Sequence, residues 1–270
     1  QGGVDDGGAA TVRAIMHWQH RGISREKTSI LHHLTLHLGE KAKEYISFYG
    51  LRTYGKLCED GPLATSQIYV HSKLMIVDDR IAVIGSSNIN DRSLLGSRDS
   101  EIAAVIEDKE FVESSMNGQP WMAGKFAHSL RCNLWSEHLN LQGEEISKIH
   151  DPIKDSTYEQ MWLETARENT AIYQEVFGCL PDDRIRSRAA LRQHVYTRKT
   201  KVGSTTIDLG IAPKRIAHCE DGEMKMIEPL EKLKSIKGHL VSFPLNFMSQ
   251  EDLRPMINEG EFYTSPHVFL

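Results

Sequence analysis

The chain has 270 residues, of which 40% are hydrophobic and 26% are charged, and this composition is ordinary for a folded globular protein. Its formal net charge of −5 at pH 7 argues against a general nucleic-acid binder, which is usually basic. The longest apolar runs are far shorter than the ~20 residues that cross a bilayer, and the cysteines are too dispersed for a disulfide framework or a zinc motif.

The N-terminal part of the sequence opens in a glycine-rich stretch and then predicts helices. Gln1 in place of a methionine, followed directly by these glycines, leads us to expect a piece of a longer protein. Apolar residues at helical spacing predict one helix around residues 12–19 and a second from Thr28 to a stop at Gly39. Residues 45–48 then predict a strand.

The middle of the sequence predicts a run of strands. Residues 67–77 predict one strand, Asp78-Asp79-Arg80 a turn, and residues 81–84 the next strand. Residues 100–106 predict a further strand. Two helices are then expected, over residues 124–138 and 157–177.

Beyond Pro181 the composition changes. Residues 184–201 contain seven arginines and lysines without an acidic residue, and residues 202–221 form a weakly patterned, loop-like segment. A last strand is predicted over residues 239–247. The pattern as a whole indicates an α/β or α+β protein, with a boundary near residues 144–151.

Two basic side chains in the predicted strand 67–77 carry the first chemical signal. Because side chains alternate along a strand, His71 and Lys73 are expected on one face, and Val70, Leu74 and Ile76 on the other. An imidazole gives or takes a proton near neutral pH, and an ammonium group holds a phosphate oxygen as a point charge.

The next predicted strand ends in Gly85-Ser86-Ser87-Asn88. Because a short turn joins the two strands, Ser86 and Asn88 are expected beside the two basic side chains. Both are neutral donors for a phosphate oxygen, and Gly85 permits close approach of the backbone. Together these residues supply charge stabilisation and a proton carrier, which is what cleavage of a phosphodiester requires.

This pattern resembles a known family. His71-x-Lys73-x4-Asp78, followed by Gly85-Ser86-x-Asn88, is similar to the HKD signature of the phospholipase D superfamily, here spanning about residues 66–93. The run from Ile89 to Glu101 resembles the second HKD motif of the eukaryotic enzymes. The resemblance extends through most of the chain and thins after Arg188. It is closer to the type with PX and PH domains, the plant zeta-like type, than to the plant type with a C2 domain.

The resemblance implies a role for each motif residue. His71 would be the general acid that protonates the departing alcohol and then the base that activates water or a primary alcohol. Lys73 and Asn88 would grip the phosphate with support from Ser86. Asp78 would anchor local structure, and Glu101 would orient a catalytic histidine. The nucleophile would be the histidine of the first HKD motif, through a phosphohistidine intermediate.

The resemblance also implies the fold and the reaction. We expect an α/β half-domain over residues 1–150, with a mixed sheet flanked by helices, and a C-terminal extension over residues 151–270 that packs on it. This would be one half of a two-half catalytic domain that hydrolyses phosphatidylcholine to phosphatidic acid and choline. None of the other 12 histidines begins a second HxKxxxxD pattern. The chain alone is therefore expected to be inactive.

The expected partners follow from the same resemblance. They are a phospholipid membrane surface and the N-terminal HKD half of the enzyme, with no nucleic acid. The expected location is cytoplasmic and peripheral on membranes. No metal or other cofactor is required for the chemistry, and a phosphoinositide is a candidate activator through the basic stretch over residues 184–201.

Several alternatives stay open. A single-motif protein could form a homodimer that acts as a nuclease or a cardiolipin hydrolase, or the chain could be a non-catalytic piece that binds membranes. For residues 184–201, a solvated helix face or pairing with acidic loops is favoured over headgroup binding. The pair His33 and His37 lies at metal-ligand spacing on a helix but lacks further ligands of a zinc pattern.

Overall fold

In the computed structural model, which describes residues 10–202, 210–220 and 222–254, the chain begins with helices. Ser29 caps the second helix, because its hydroxyl accepts a hydrogen bond from the backbone N–H of His32 at 3.2 Å. Both predicted N-terminal helices are confirmed, and the glycine-rich start lies outside the described residues. The elements are α1 (Ala10–His20), a π-helical turn (Arg21–Arg25), α2 (Ile30–Leu38), a 3₁₀ turn (Gly39–Lys41) and α3 (Ala42–Tyr45).

Strands dominate the middle of the chain. The strand predicted over residues 45–48 is wrong, because α3 continues to Tyr45 and the first strand begins only at Tyr49. The strand predicted over residues 100–106 is confirmed, with a start three residues later. The elements are β1 (Tyr49–Lys56), β2 (Leu63–Ile68), β3 (Lys73–Val77), β4 (Ile81–Gly85), α4 (Asp91–Leu94), β5 (Ala103–Glu107), β6 (Phe111–Met116) and β7 (Gln119–Gly124).

The single strand predicted over residues 67–77 is two strands in different sheets. β2 pairs antiparallel with β1, whereas β3 pairs antiparallel with β4. Residues 69–72 belong to neither strand, because they carry the chain from one sheet to the next. His71 lies in this link and only Lys73 lies in β3, so the prediction that the two residues share one face of a single strand is wrong.

Helices return in the C-terminal part. The helices predicted over residues 124–138 and 157–177 are confirmed, the second with a π-helical start. The loop-like segment predicted over residues 202–221 is wrong in its last part, where a strand pairs with the following strand through Ile216 and Ile227. The elements are α5 (Lys125–Leu139), a 3₁₀ helix (Gly143–Ile149), α6 (Asp155–Thr157), a π helix (Tyr158–Leu163), α7 (Glu164–Phe177), α8 (Arg188–Val202), β8 (Ile216–Glu220), β9 (Glu223–Ile227), α9 (Pro229–Leu233) and β10 (Leu240–Ser242).

The strands of the described residues form small antiparallel sheets. Their orders are β10-β1-β2, β3-β4-β5, β6-β7 and β8-β9. The strand predicted over residues 239–247 is confirmed only at β10, which adds an edge to the first sheet. The α/β class expected from the sequence is confirmed, with helices packed against these sheets.

Apolar clusters join the part before residue 150 to the part after it. Cys132 and Leu139 of α5 share one buried cluster with Trp162 and Ala166. The ring of Trp162 stacks on that of Trp135, with 4.2 Å between the ring centroids. The division at residue 150 stays a prediction, and the clusters show that the two segments pack on each other.

A buried ion pair fixes the turn between β3 and β4. The Asp79 side chain is 3% exposed, and its carboxylate accepts hydrogen bonds from Arg131 Nε at 2.6 Å and Nη2 at 2.7 Å. It also contacts His128 Nδ1 at 2.8 Å. Arg131 donates further to the backbone carbonyls of Ile149 and His150. The turn that follows β3 is thereby tied to α5 and to the end of the 3₁₀ helix.

Candidate active site

The motif residues gather at one end of the sheet β3-β4-β5. In its register Lys73, the first residue of β3, lies opposite Gly85, the last residue of β4, and Gly85 lies opposite Ala103. A Cβ at position 85 would lie 2.5 Å from the carbonyl oxygen of Ile102 and 2.7 Å from the Cβ of Ala103. Only glycine therefore permits β5 to approach β4 at this end of the sheet.

His71 and Lys73 meet through the backbone of the link between β2 and β3. Lys73 Nζ donates a hydrogen bond to the carbonyl oxygen of His71 at 2.6 Å. The imidazole itself is exposed and stacks on the ring of Tyr69, with 5.9 Å between the ring centroids. The exposed imidazole can reach a phosphodiester that approaches from solvent.

Ser86 and Glu101 form a second contact at the same end of the sheet. Ser86 Oγ donates to Glu101 Oε2 at 2.5 Å and accepts from the backbone N–H of Ile102 at 3.1 Å. Hydrogen bonds from Ser86 and Ser93 lower the pKa of Glu101, and so does the positive charge of Lys73. Glu101 is therefore a carboxylate at neutral pH and is directed at Ser86. Its expected role in orienting a histidine stays a prediction.

The loop after β4 holds Asn88. Its backbone N–H donates to Ser93 Oγ at 3.1 Å, while its side chain is exposed. Asn90 caps α4, because its side-chain oxygen accepts from the backbone N–H of Ser93 at 3.1 Å. The cap and the Ser93 hydroxyl fix the loop, and this leaves the Asn88 amide available to a phosphate.

Asp78 lies apart from this group, in the turn at the other end of β3. Its side chain is exposed, and its backbone carbonyl accepts a hydrogen bond from Trp121 Nε1 at 2.8 Å. The carboxylate that anchors the turn is that of the next residue, Asp79. The sequence motif therefore locates the turn correctly. The side chain that anchors this turn, however, is that of Asp79, whereas Asp78 contributes only its backbone carbonyl.

We expect Ser86→Ala to lower activity of the completed enzyme by about tenfold, less than the ~10²–10³ lost when a direct oxyanion donor is removed. The reason is that Glu101 and the start of β5 lose their shared hydroxyl partner, while the phosphate ligands stay. Steady-state kinetics on Ser86→Ala and on the neighbouring Ser87→Ala check this. A larger loss in Ser87→Ala than in Ser86→Ala would contradict it.

One cluster of chemically reactive side chains was not predicted from the sequence. His128, Cys132 and His150 each place one nitrogen or sulfur atom within 4.8 Å of the others. The spacing of His128 and Cys132, four residues apart on a helix, is a signal that the sequence does contain. His150 belongs to a different element, so only the fold brings it to the pair.

A membrane-crossing helix is not found among the described residues, since none of their helices is both long and apolar enough.

Comparison with known proteins indicates the same family that the motif resembles. A family model described as phospholipase D matches residues 3–180. The chain is 68% identical over 270 residues to phospholipase D zeta 2 of Arabidopsis thaliana and 63% identical over 269 residues to phospholipase D zeta 1 of that plant. It is 40% identical over 261 residues to phospholipase D1 of the mouse. These alignments cover 97 to 100% of this chain but only 22 to 25% of the relatives.

Proposed function

This chain belongs to the phospholipase D family, and from that premise we propose that it supplies one of two half-sites of an enzyme that hydrolyses phosphatidylcholine to phosphatidic acid and choline. The observation that carries the proposal is the group at the end of the sheet β3-β4-β5. There Lys73 lies opposite Gly85 and donates to the backbone carbonyl of the exposed His71, and the pair of Ser86 with Glu101 follows the end of β4.

The proposed chemistry divides one displacement between two histidines. A histidine of the N-terminal half attacks phosphorus and forms a phosphohistidine, while His71 gives a proton to the departing choline oxygen. His71 then takes a proton from water, which cleaves the phosphohistidine. Lys73 and Asn88 hold the phosphate oxygens, and their positive charge and amide dipole offset the negative charge that develops there. No metal takes part in this proposal.

An exposed apolar face supports the requirement for a second half. Met75 of β3 and Val105 of β5 lie in one cross-strand row, on the face that also carries Lys73. Their side chains are 52% and 63% exposed. Since the chain spans about a quarter of the length of these relatives, we propose that the N-terminal half covers this face and brings the second histidine to the site.

Release of choline from phosphatidylcholine vesicles tests this function. The chain would be assayed alone and mixed with an N-terminal half, with a primary alcohol present to report transfer as well as hydrolysis. We expect choline and the phosphatidyl alcohol only from the mixture. Activity of the chain alone would favour the homodimeric nuclease or cardiolipin hydrolase type, and inactivity of both samples would favour a non-catalytic membrane-binding role.

We also propose that the enzyme acts at the cytoplasmic surface of membranes and that residues 184–201 contribute to binding of anionic headgroups such as phosphoinositides. The structure assigns part of this stretch to internal contacts. Arg184 pairs with Asp182, and Arg188 lies 3.8 Å from Glu251. Arg198 donates to the backbone carbonyls of Val176 and Ile211. Arg186 Nε donates to the backbone carbonyl of Asp183 at 3.4 Å. Arg186 and Arg192 are both exposed, and on this ground we propose that they contact headgroups.

Charge reversal at these two positions should weaken binding to phosphoinositide-containing vesicles. Each basic residue near an anionic surface contributes ~1 kcal/mol, so losing two lowers the affinity by roughly 30-fold, and repulsion by the two introduced carboxylates should lower it further. Vesicle sedimentation of Arg186→Glu/Arg192→Glu measures this, with Lys43→Glu/Lys109→Glu as the control of equal charge. Equal binding by both double variants would rule out a specific role for the stretch.

A further inference from the structure

Three side chains with metal-binding atoms converge beside the turn that Asp79 anchors. His128 and Cys132 occupy successive turns of α5, and His150 follows the 3₁₀ helix Gly143–Ile149. His128 Nε2 lies 3.6 Å from Cys132 Sγ, and one ligand atom of each residue lies within 4.8 Å of the others. Among the described residues this is the group with a metal-compatible arrangement.

The distance between the two helix ligands fits a tetrahedral ion. With Zn–N of ~2.05 Å and Zn–S of ~2.3 Å, a tetrahedral angle places the nitrogen and sulfur atoms about 3.6 Å apart. The observed 3.6 Å between His128 Nε2 and Cys132 Sγ matches this separation. The ligand nitrogen of His150 lies within 4.8 Å of the other two ligand atoms and completes the same geometry if it moves closer to them. Its side chain is exposed and can rotate, while its backbone carbonyl is held by Arg131.

The surroundings of His128 are those of a metal ligand. Its Nδ1 contacts Asp79 Oδ2 at 2.8 Å, so the carboxylate fixes the ring and leaves Nε2 to face Cys132. Such carboxylate–histidine pairs orient the ligand and make it more basic. His128 and Cys132 are both buried, which protects a bound ion on that side. The negative charges of Asp79 and of a Cys132 thiolate outnumber the single positive charge of Arg131, so the local charge favours binding of a cation.

We propose that His128, Cys132 and His150 bind a zinc ion, with a fourth position open toward solvent beside His150. On binding, His128 loses its Nε2 proton and Cys132 its thiol proton to solvent, and the two histidine nitrogens and the Cys132 thiolate donate lone pairs to the ion. The ion joins α5 to the end of the 3₁₀ helix. Through His128 and Asp79 it also reaches the turn between β3 and β4. The site is separate from the proposed half-site, and neither proposal depends on the other.

Cobalt(II) is the probe for this site, because it takes the place of zinc and its bond to a thiolate gives a charge-transfer band. The 270-residue chain would carry Cys58→Ser and Cys219→Ser, which remove its two exposed thiols. We expect a saturable charge-transfer band at one equivalent of cobalt, lost again when zinc is added. The melting temperature should rise when zinc is present, since an ion that binds the folded state stabilises it.

Two further variants identify the ligands. Cys132→Ser should remove the charge-transfer band, and His150→Ala should weaken cobalt binding by more than about tenfold, since even outer-shell partners of a metal contribute 10–100-fold. If circular dichroism shows that Cys132→Ser does not fold, His150→Ala still tests the site, because His150 is exposed and its replacement should not disturb the fold. His37→Ala is the matched control on α2. A missing band, a band that persists in Cys132→Ser, or equal affinities of His150→Ala and His37→Ala would overturn the proposal.

Discussion

Replacing His71 by asparagine should lower choline release by the completed enzyme by about 10²–10⁴-fold, the range that a general acid–base catalyst contributes. Asparagine preserves a polar side chain of similar reach but cannot deliver a proton to the choline oxygen. Because His71 is exposed and lies in the link between β2 and β3, the fold should be unchanged. Initial rates with saturating N-terminal half measure the loss.

The leaving group separates the acid role from other roles of His71. p-Nitrophenolate departs as a stable anion and needs no proton, so in the first turnover His71→Asn should lose much less p-nitrophenol release from a phosphatidyl p-nitrophenol than choline release from phosphatidylcholine. Later turnovers still need His71 as the base that activates water, so the comparison is made on the first turnover. His37→Asn, another exposed histidine, is the control and should match the parent chain. An equal loss of first-turnover release with both substrates would point to His71 as the nucleophile.

Replacing Asp79 by asparagine should lower the free energy of unfolding by about 3–5 kcal/mol, because it leaves the buried guanidinium of Arg131 without its carboxylate. Asparagine tolerates the left-handed backbone at position 79, where φ is 53°, so the turn itself is not strained. Asp78→Asn is a close control, since it has a φ of 51° and an exposed side chain. It should change stability by no more than about 0.5 kcal/mol. Denaturant titrations that give equal losses for the two variants would contradict this account.

The same ion pair predicts a pH dependence of stability in the metal-free chain. Burial acts to raise the pKa of Asp79, but hydrogen bonds from His128 and Arg131 outweigh it and hold the pKa below its usual 3.8. This contribution is present above pH 3.8 and is lost as the pH falls through the lowered value. The hydrogen bond to Asp79, with a further one to Cys132, raises the pKa of His128 from 6.5 to about 9. That contribution is complete below pH 6.5 and is lost as the pH rises through about 9.

With a chelator present, the melting temperature of the parent chain should therefore fall on both sides of a range between about pH 4 and 6.5. The melting temperature of Asp79→Asn should depend much less on pH. Asparagine has no carboxyl group to titrate, and it carries no negative charge that stabilises a protonated His128. A parent chain whose stability rises steadily from pH 6.5 to pH 9 would show that His128 does not carry a proton in the folded state.

Local sequence was sufficient to predict α5, α7 and the motif, although it did not predict α8. The apolar spacing in α5 and α7 repeats over three or more turns, so it predicts both helices independently of their partners. The spacing from His71 to Asn88 likewise predicts the candidate site residues before any pairing is known. Gly85 adds a steric reason, since the approach of β5 excludes a side chain there.

The missed features depend on partners that are distant in sequence. The alternating pattern of side chains over residues 67–77 runs on without a visible break between β2 and β3. Such a pattern does not show which strand each part pairs with, so it could not reveal that the two parts belong to different sheets. Asp78 and Asp79 are identical neighbours with similar backbone angles, and only Arg131 and His128 on α5 distinguish them. His150 joins its cluster in the same way, through packing of the 3₁₀ helix against α5.

The most direct test of the half-site account is the initial rate of choline release as a function of the concentration of this chain, with and without a fixed amount of N-terminal half. The account predicts no release at any concentration of the chain alone. With the N-terminal half, the rate should rise and saturate at one equivalent of the chain. A rate that grows with the square of the chain's concentration in the absence of the other half would contradict it, since two copies of His71 would then form the site.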